Sequence, residues 1–398
     1  MNNFNQHVAE GNTTKTLSGS AYTDPEVFEK ERRFLFRTLP VMAVPSCHLE
    51  KKGSYTVTDI AKESIITVRG KDGTIRALAN SCRHRGKRLL QGNNLGGTEK
   101  ISNLKSIVCP YHGWNYKLDG ALAHARGDEA GLLKGLCLRK LQVHEAGGLT
   151  FYNKTNENVL HLNALDKALG LLCLSEGKVS ATKQYDVKAN WKLWTENFLE
   201  CWHCASSHPE LSENKGFITQ FENGNEDVYV SDDIKWRIQA QKKGWITPED
   251  ADLEMDKAMF SFNVSLPLGK GNLTASKNGK RLGPAFNGAA GFEGGAIFGC
   301  LGPFLFYMAY VDYVILFCVR PIAVEQTKVD VFWITAKDFE GSTEDLTWLW
   351  NTTLKQDIKL VEESQQGVSS LYYTPGPFQA DEYRTQAFVE WWKNWFHK

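Results

Sequence analysis

Two stretches of the chain gather side chains that bind metals. The first joins Cys82-x-His84 to Cys109-x2-His112. The second, ECWHCASSH from Glu200 to His208, holds two Cys, two His and one Glu in nine residues. For the first set zinc is one candidate, since it accepts two Cys and two His. Zinc motifs more often keep the ligand types apart, as Cys-x2-Cys with His-x3-His. Here each half carries one Cys and one His, which suits a [2Fe–2S] cluster with two Cys on one iron and two His on the other. Neutral imidazoles leave such a cluster less negative than four thiolates would, so it accepts an electron more easily. The second stretch admits two readings. Cys201-x2-Cys204 suits zinc or a thiol redox pair, whereas His203-x4-His208 suits an open iron site.

An open iron site takes a carboxylate beside its two His. Asp357 is a candidate from its position alone, because it lies on the apolar stripe of Leu346, Leu349, Trp350, Leu354, Ile358 and Val361. A buried Asp without a partner is costly, so it is bound to metal or serves as a cap or ion pair. Glu362 and Glu363 are weaker candidates. Five residues of ideal helix turn through about 500°, which leaves His203 and His208 roughly 140° apart. A helix carrying both must loosen after His203. Cys201 and Cys204 are read as small buried packing residues. His48, His124, His144 and His161 have no partner spacing and are read as structural.

The elements that must position these groups fall into two textures. Residues 1–20 are polar and read as loose. TDPEVFEKERRFLF reads as a helix capped by Thr23 or Asp24, with Pro25 in the first turn and Val27, Phe28, Phe34 and Leu35 on one face. From about residue 41 to 153 the chain is short strands and tight turns. SYTVTDI, SIITVRG, TIRALAN, KSIVC and GLTFYN are strand-like, and KDG at Lys71–Gly73 and LDG at Leu118–Gly120 are hairpin turns. The segment VLHLNALDKALGLL reads as a linking helix. A strand, SATKQYDV, and a helix around WKLWTENFLECWH follow. Residues 265–300 are Gly-rich and read as a mobile loop near a site entrance. Three strands, FLFYMAY, YVILFCVRP and KVDVFWITA, precede two closing helices.

Composition excludes other classes. The 398 residues suffice for two or three cores, and 46 Lys+Arg balance 46 Asp+Glu. That balance gives no support for a nucleic-acid or membrane-surface role, and the basic run CRHRGKR at Cys82–Arg88 has no neighbours that extend it. No apolar run reaches membrane-spanning length, and the polar start lacks the apolar core of a secretion signal. Nine scattered Cys form no disulfide framework, so the chain is expected in the cytoplasm with reduced thiols.

The segments CRHRG and CPYHGWNYKLDG closely resemble the Rieske domain of Rieske non-heme iron oxygenases, the ring-hydroxylating oxygenase alpha subunits. NWKLWTENFLECWHCASSHPEL resembles the iron-binding helix of the same family. The resemblance runs from about residue 22 to the end, with one departure: 24 residues separate His84 from Cys109, more than the family usually has. It implies an α+β chain. Residues 1–40 form an N-terminal segment and helix packed on the catalytic domain, 41–155 a small all-β Rieske [2Fe–2S] domain, and 156–398 a helix-grip type catalytic domain with an antiparallel sheet and a mononuclear iron site. It further implies Cys82, His84, Cys109 and His112 as cluster ligands and His203, His208 and Asp357 as ligands of a mononuclear Fe(II). Glu200 occupies the position of the acidic bridge between the two centres, and Asn197 matches a recurring position without a role that the sequence explains. A homotrimer is implied, with the cluster of one subunit serving the iron of the next.

The implied activity is O₂-dependent mono- or dioxygenation of a small-molecule substrate. Electrons come from NADH or NADPH through a separate flavin and iron–sulfur reductase, with a ferredoxin as a further possible carrier. No Gly-x-Gly-x-x-Gly fingerprint stands in this chain, which accords with a separate reductase. TASKNGKRLGP, YVDYVILFCVRP and QDIKLVEESQQGVSSLYYTPGPF are more similar to members acting on choline, glycine betaine, carnitine or stachydrine than to ring dihydroxylases. Aromatic faces hold quaternary ammonium groups by cation–π attraction. Trp202, Phe304 and Tyr307 are candidates for that wall, and Arg320 or Arg281 for a substrate carboxylate. Hydroxylation of an N-methyl group would end in N-demethylation. The alternative is an aromatic-ring hydroxylating alpha subunit. A pure electron carrier would stop at the Rieske domain, and a structural zinc protein would bind no iron.

Overall fold

The computed structural model describes residues 15–92, 103–128, 131–154, 159–200, 203–213, 236, 238–242, 254–255, 259–269, 271–289, 291–379 and 382–397. After a short helical turn at Gly19–Thr23, helix α1 (Pro25–Lys30) is capped by Asp24, whose side chain accepts from the Glu26 amide, with Pro25 at its first position. The chain then passes through a wider π-type turn at Glu31–Leu35. This turn shifts the helical phase. Leu35 and Glu31 turn inward, while Phe34 is 60% exposed rather than on the buried face expected for it.

A six-stranded antiparallel sheet follows. Its strands are β1 (Val41–Pro45), β2 (Tyr55–Ile60), β3 (Glu63–Arg69) and β4 (Ile75–Ala79), joined later by β8 (Lys140–Ala146) and β9 (Leu149–Asn153), in the order β1-β9-β8-β4-β3-β2. Between them β5 (Ile107–Val108), β6 (Asn115–Tyr116) and β7 (Leu122–His124) form a three-stranded sheet. A separate small core fills the space between: Ile66, Val68, Leu78, Ile107, Tyr116 and Leu138 surround Cys82 and Cys109. Gly120 closes the LDG turn with φ +88°, and a Cβ there would stand 3.0 Å from Leu78 and 3.2 Å from Cys137 Sγ. Only glycine meets both demands.

Helix α2 (Asn163–Leu169), flanked by 3₁₀ turns, leads to β10 (Lys178–Val187). That strand joins the edge of a seven-stranded antiparallel sheet with β11 (Glu254–Met255), β12 (Phe260–Pro267), β13 (Gly295–Leu301), β14 (Leu305–Ala309), β15 (Tyr313–Ala323) and β16 (Gln326–Thr335). The order is β10-β16-β15-β14-β13-β12-β11. β12 and β13 correct the expectation of a mobile Gly-rich loop only at the two ends of 265–300; the described residues between them run through turns and bends with a 3₁₀ turn at Asn287–Ala289. FSFNVSLP pairs with GAIFGCL from Ser261↔Leu301 to Pro267↔Gly295.

The sheet is covered on both sides. Phe317 meets Phe198 at 5.1 Å and Trp350 at 5.5 Å between ring centres, so the odd residues of β15 face the helices. On the other side Cys318 touches Met42 of β1, and Phe332, paired with Leu316, meets His48. Two covered faces explain why β15 is apolar at nearly every position.

The helix layer comprises α3 (Trp191–Leu199), the short α4 (Cys204–Ser207) and α5 (Pro209–Glu213), α6 (Thr343–Val368) and α7 (Tyr383–Phe396). Asn190 caps α3 by accepting from the Lys192 amide, and Ser342 caps α6 by accepting from the Asp345 amide. Among the described residues no helix is long and apolar enough to cross a membrane. Among the described residues seven Cys are free and Cys204 is disulfide-bonded, against the expectation of thiols reduced throughout.

Candidate metal centres

The two halves of the first cysteine–histidine set fold into twin loops. The Cys82 amide donates to Lys87 O and the Gly86 amide returns to Cys82 O. The Cys109 amide donates to Trp114 O and the Gly113 amide returns to Cys109 O. Gly86 and Gly113, each four residues after its Cys, have φ of +71° and +72°, where other residues are strained. The loops bury both thiols, with Cys82 at 3% and Cys109 at 2% exposure, and turn the imidazoles outward. His84 and His112 lie with ring centres 4.7 Å apart, and His84 stacks flat on Trp114 at 4.8 Å. Tyr116 places its hydroxyl 3.3 Å from Cys82 Sγ. Two free thiols inside and two imidazoles outside fit a [2Fe–2S] group with a sulfur-bound inner iron and a nitrogen-bound outer iron.

The second centre draws on three elements. α3 ends at Leu199 and Glu200 is extended, with φ −129° and ψ 170°. The expectation that one helix carries both His and loosens after His203 is therefore corrected: the helix stops before Glu200. His203 precedes α4, and His208 ends it with φ −125° and ψ 73°. This break answers the roughly 140° divergence that an unbroken helix would impose. Asp357 projects from the buried stripe of α6 and is 2% exposed.

Asp357 Oδ1 lies 3.3 Å from His203 Nε2 and 3.1 Å from His208 Nε2. Two neighbouring ligands about 2.1 Å from an octahedral ion stand about 3.0 Å apart, so Asp357 Oδ1 lies at that spacing from each imidazole and the set offers two His and one carboxylate to one ion. Burial pushes the Asp357 carboxyl up, but the two imidazoles beside it outweigh burial and the net shift is downward. The ring nitrogens turned from Asp357 each have a support, and the carboxylate has one more. Asn197 Nδ2 donates to Asp357 Oδ1 at 2.9 Å, which gives Asn197 a position beside the carboxylate. Glu200 Oε1 meets His203 Nδ1 at 2.5 Å. Gln356 Oε1 meets His208 Nδ1 at 2.8 Å, and Gln356 Nε2 donates to Glu210 Oε2 at 2.7 Å. Such partners fix the imidazole tautomer and aim.

Cys204 also has its sulfur within 4.8 Å of the His203 and His208 ring nitrogens. Asp357, not a thiolate, lies 3.1 and 3.3 Å from the two imidazoles, and two His with one carboxylate suit an open iron site. Cys201 and Trp202 lie outside the described residues. Phe304, Tyr307 and Arg320 stand elsewhere. Phe304 packs edge-on against Phe36 and Trp191. Tyr307 pairs with Leu316 and so shares the face turned from the helices. Arg320 is bound to Asp330 at 3.0 Å on that same face. All three are core residues: strand register turns Tyr307 and Arg320 to the face away from the helices, and Phe304 is enclosed by Phe36 and Trp191. Arg281 instead pairs with Glu293 at 3.5 Å. Sequence reasoning missed Tyr116, Gln356 and Glu210. The only signals were adjacency to Asp357 for Gln356 and to His208 for Glu210.

Residues 174–398 match the ring hydroxylating alpha subunit catalytic domain, and residues 40–140 match the Rieske [2Fe-2S] domain. The glycine betaine monooxygenase oxygenase subunit of Chromohalobacter salexigens is 31% identical over 390 residues, 94% of this chain and 84% of that protein. The carnitine monooxygenase oxygenase subunit of Escherichia coli is 34% identical over 214 residues, 50% of this chain and 54% of that one. A crystal structure of a quaternary ammonium Rieske monooxygenase with L-carnitine superposes with TM-score 0.69 at 20% identity, covering 98% of this chain and 97% of the other. Naphthalene 1,2-dioxygenase from Rhodococcus sp. gives 0.62 at 17% identity, covering 98% and 96%. At these identities the two structures bear on the fold, which is the Rieske oxygenase arrangement of a small β domain and an α+β catalytic domain. The chain belongs to the Rieske non-heme iron oxygenases, as an alpha-type oxygenase subunit whose cofactors are a [2Fe–2S] cluster and a mononuclear iron.

Proposed function

We propose that this subunit hydroxylates an N-methyl group of a quaternary ammonium, betaine-like substrate. The observation that carries the reading is 31% identity to a glycine betaine monooxygenase oxygenase subunit across 94% of the chain. An aromatic cluster built on the two helices that carry Asn197 and Asp357 supports it. Phe198 follows Asn197 in sequence and packs on Phe306 and Phe317, and Phe317 packs on Trp350, two turns before Asp357 on the same stripe. Aromatic faces suit a cation that has no N–H to donate.

In this reading Cys82, Cys109, His84 and His112 hold the cluster, and His203, His208 and Asp357 hold the iron, which when bound supplies O₂ activation. Glu200 joins the two centres through His203 Nδ1, and Asn197 steadies the Asp357 carboxylate. One oxygen atom enters a methyl C–H bond and the other leaves as water, taking up two electrons and two protons. The resulting hemiaminal breaks its C–N bond to give the shorter amine and formaldehyde. A separate flavin and iron–sulfur reductase supplies the electrons from NAD(P)H. The subunit works as a homotrimer in the cytoplasm, with the outward His84 and His112 of one copy against the Glu200 region of the next. The chain divides into segments 1–40, 41–155 and 156–398.

The test is turnover with reductase, NADH and O₂ on choline, glycine betaine, carnitine, stachydrine and a set of aromatic hydrocarbons. Formaldehyde is expected from at least one of the four. Oxygenated product from the aromatics alone overturns the substrate class. Native mass measurement tests the trimer.

A further inference from the structure

We propose that Gln356 is a positioning residue that sets the tautomer of His208, and that Glu210 sets the orientation of Gln356. The inference rests on His208 being a metal ligand. Its argument is one of donors and acceptors. Glu210 as a carboxylate only accepts, so the Gln356 atom 2.7 Å from its Oε2 must be the NH₂ group. The amide oxygen then faces His208 Nδ1 at 2.8 Å and accepts its proton. A neutral imidazole carries one N–H, so Nε2 is left as a lone pair, the atom that a metal shared with Asp357 Oδ1, 3.1 Å away, would take. With His208 at 1% exposure, little water reaches the ring to choose the tautomer instead.

The two histidines are thus held differently. A carboxylate rests directly on His203 Nδ1, whereas His208 meets its anion through an intervening neutral amide. A carboxylate partner makes an imidazole a stronger donor than an amide does. His203 is accordingly the stronger donor of the pair and His208 the weaker. Gln356 also ties α6 to the start of α5, so the device spans two of the elements that build the site.

The test uses the full chain with its cluster intact and the mononuclear site emptied by a chelator, titrated with Co(II) and followed by the metal's visible bands. Gln356→Leu is expected to weaken Co(II) binding by about 10- to 100-fold, the usual loss when a ligand's hydrogen-bond partner is removed. Its cluster EPR signal should be that of the unaltered protein. Gln356→Glu keeps an acceptor on Nδ1 and should bind Co(II) at least as well as the unaltered protein, with shifted bands. Glu210→Leu frees the amide to turn over and should weaken binding several-fold less than Gln356→Leu. Unchanged affinity and bands in Gln356→Leu overturn the proposal. Equal losses in Gln356→Leu and Gln356→Glu also overturn it, because the acceptor would then be irrelevant. Should Gln356→Leu fail to fold, Glu210→Leu decides, and unchanged affinity there counts against it. His208→Ala separates the premise: if Co(II) binds that variant normally, the metal-site reading fails rather than the role of Gln356.

Discussion

Asp357 is a charged side chain in a position built for apolar ones. Both imidazole nitrogens and the Asn197 amide converge on its Oδ1, so removal should empty the second centre and leave the first untouched. Asp357→Ala is expected to lose mononuclear iron and turnover while the reduced protein keeps its Rieske EPR signal; full activity would remove Asp357 as a ligand. Glu200 touches a ring nitrogen that faces away from Asp357. Glu200→Gln should therefore retain both metals yet consume reductant without forming product, as measured by the ratio of NADH oxidised to product made. Asp357 was legible in the sequence because polar residues interrupting an apolar stripe demand a reason. Gln356 was not, because an amide off the stripe looks like any exposed helix residue. Its role depends on two partners, His208 and Glu210, that only the folded chain brings near.

α3 is the element on which the second centre leans, and its anchors lie on the far side from the metal set. Lys192 and Glu31 form an ion pair at 2.7 Å with both side chains at 0% exposure. Glu31 also accepts from the indoles of Trp191 and Trp392 at 2.9 and 2.7 Å. Removing one partner of a buried pair strands the other, at about 3–5 kcal/mol. Glu31→Leu should lower stability to denaturant by that order; an unchanged midpoint would show the pair to be neutral.

One turn on, Glu196 receives the Tyr22 hydroxyl on both oxygens at 2.9 and 3.1 Å, and burial holds its carboxyl up at about 7 instead of 4.5. A raised carboxyl favours the neutral form in the folded chain. Its contribution is fully present below pH 4.5 and is lost as pH rises through about 7. Glu196→Gln should melt like the unaltered protein near pH 5 and higher than it at pH 8. Identical melting curves at both pH values would reject this. Alternation made β2 legible, Gly turns marked off β3 and β4, and a continuous apolar run marked β15. β12 and β13 were hidden because their Gly and Ser suggest a loop, whereas in the sheet they leave room for large neighbours: a Cβ on Gly299 would stand 2.5 Å from Tyr307. The π-type turn at Glu31–Leu35 was hidden too, since nothing in ERRFL announces a widened turn.

At the scale of the whole molecule, the length foretold two or three cores, and the described residues form two. What composition could not foretell was where the amino-terminal segment belongs. Phe36 packs on Trp191 and Phe304, Asn190 donates to Tyr22 O, and Glu31 finds Lys192 161 residues later. Deleting residues 1–40 should leave the cluster signal and abolish the mononuclear site; retention of both would separate the segment from the catalytic core. In the order of synthesis, the segment emerges first and must wait, its acid unmatched, until the lysine is made. The cluster-bearing part, with its own small core, has time to close in between. It is an insertion within a body whose two ends meet behind it. A chimera that exchanges cluster modules between relatives therefore needs two cuts, one after the Phe36–Thr38 turn and one past Asn153, because a single cut would take Glu31 from one parent and Lys192 from the other.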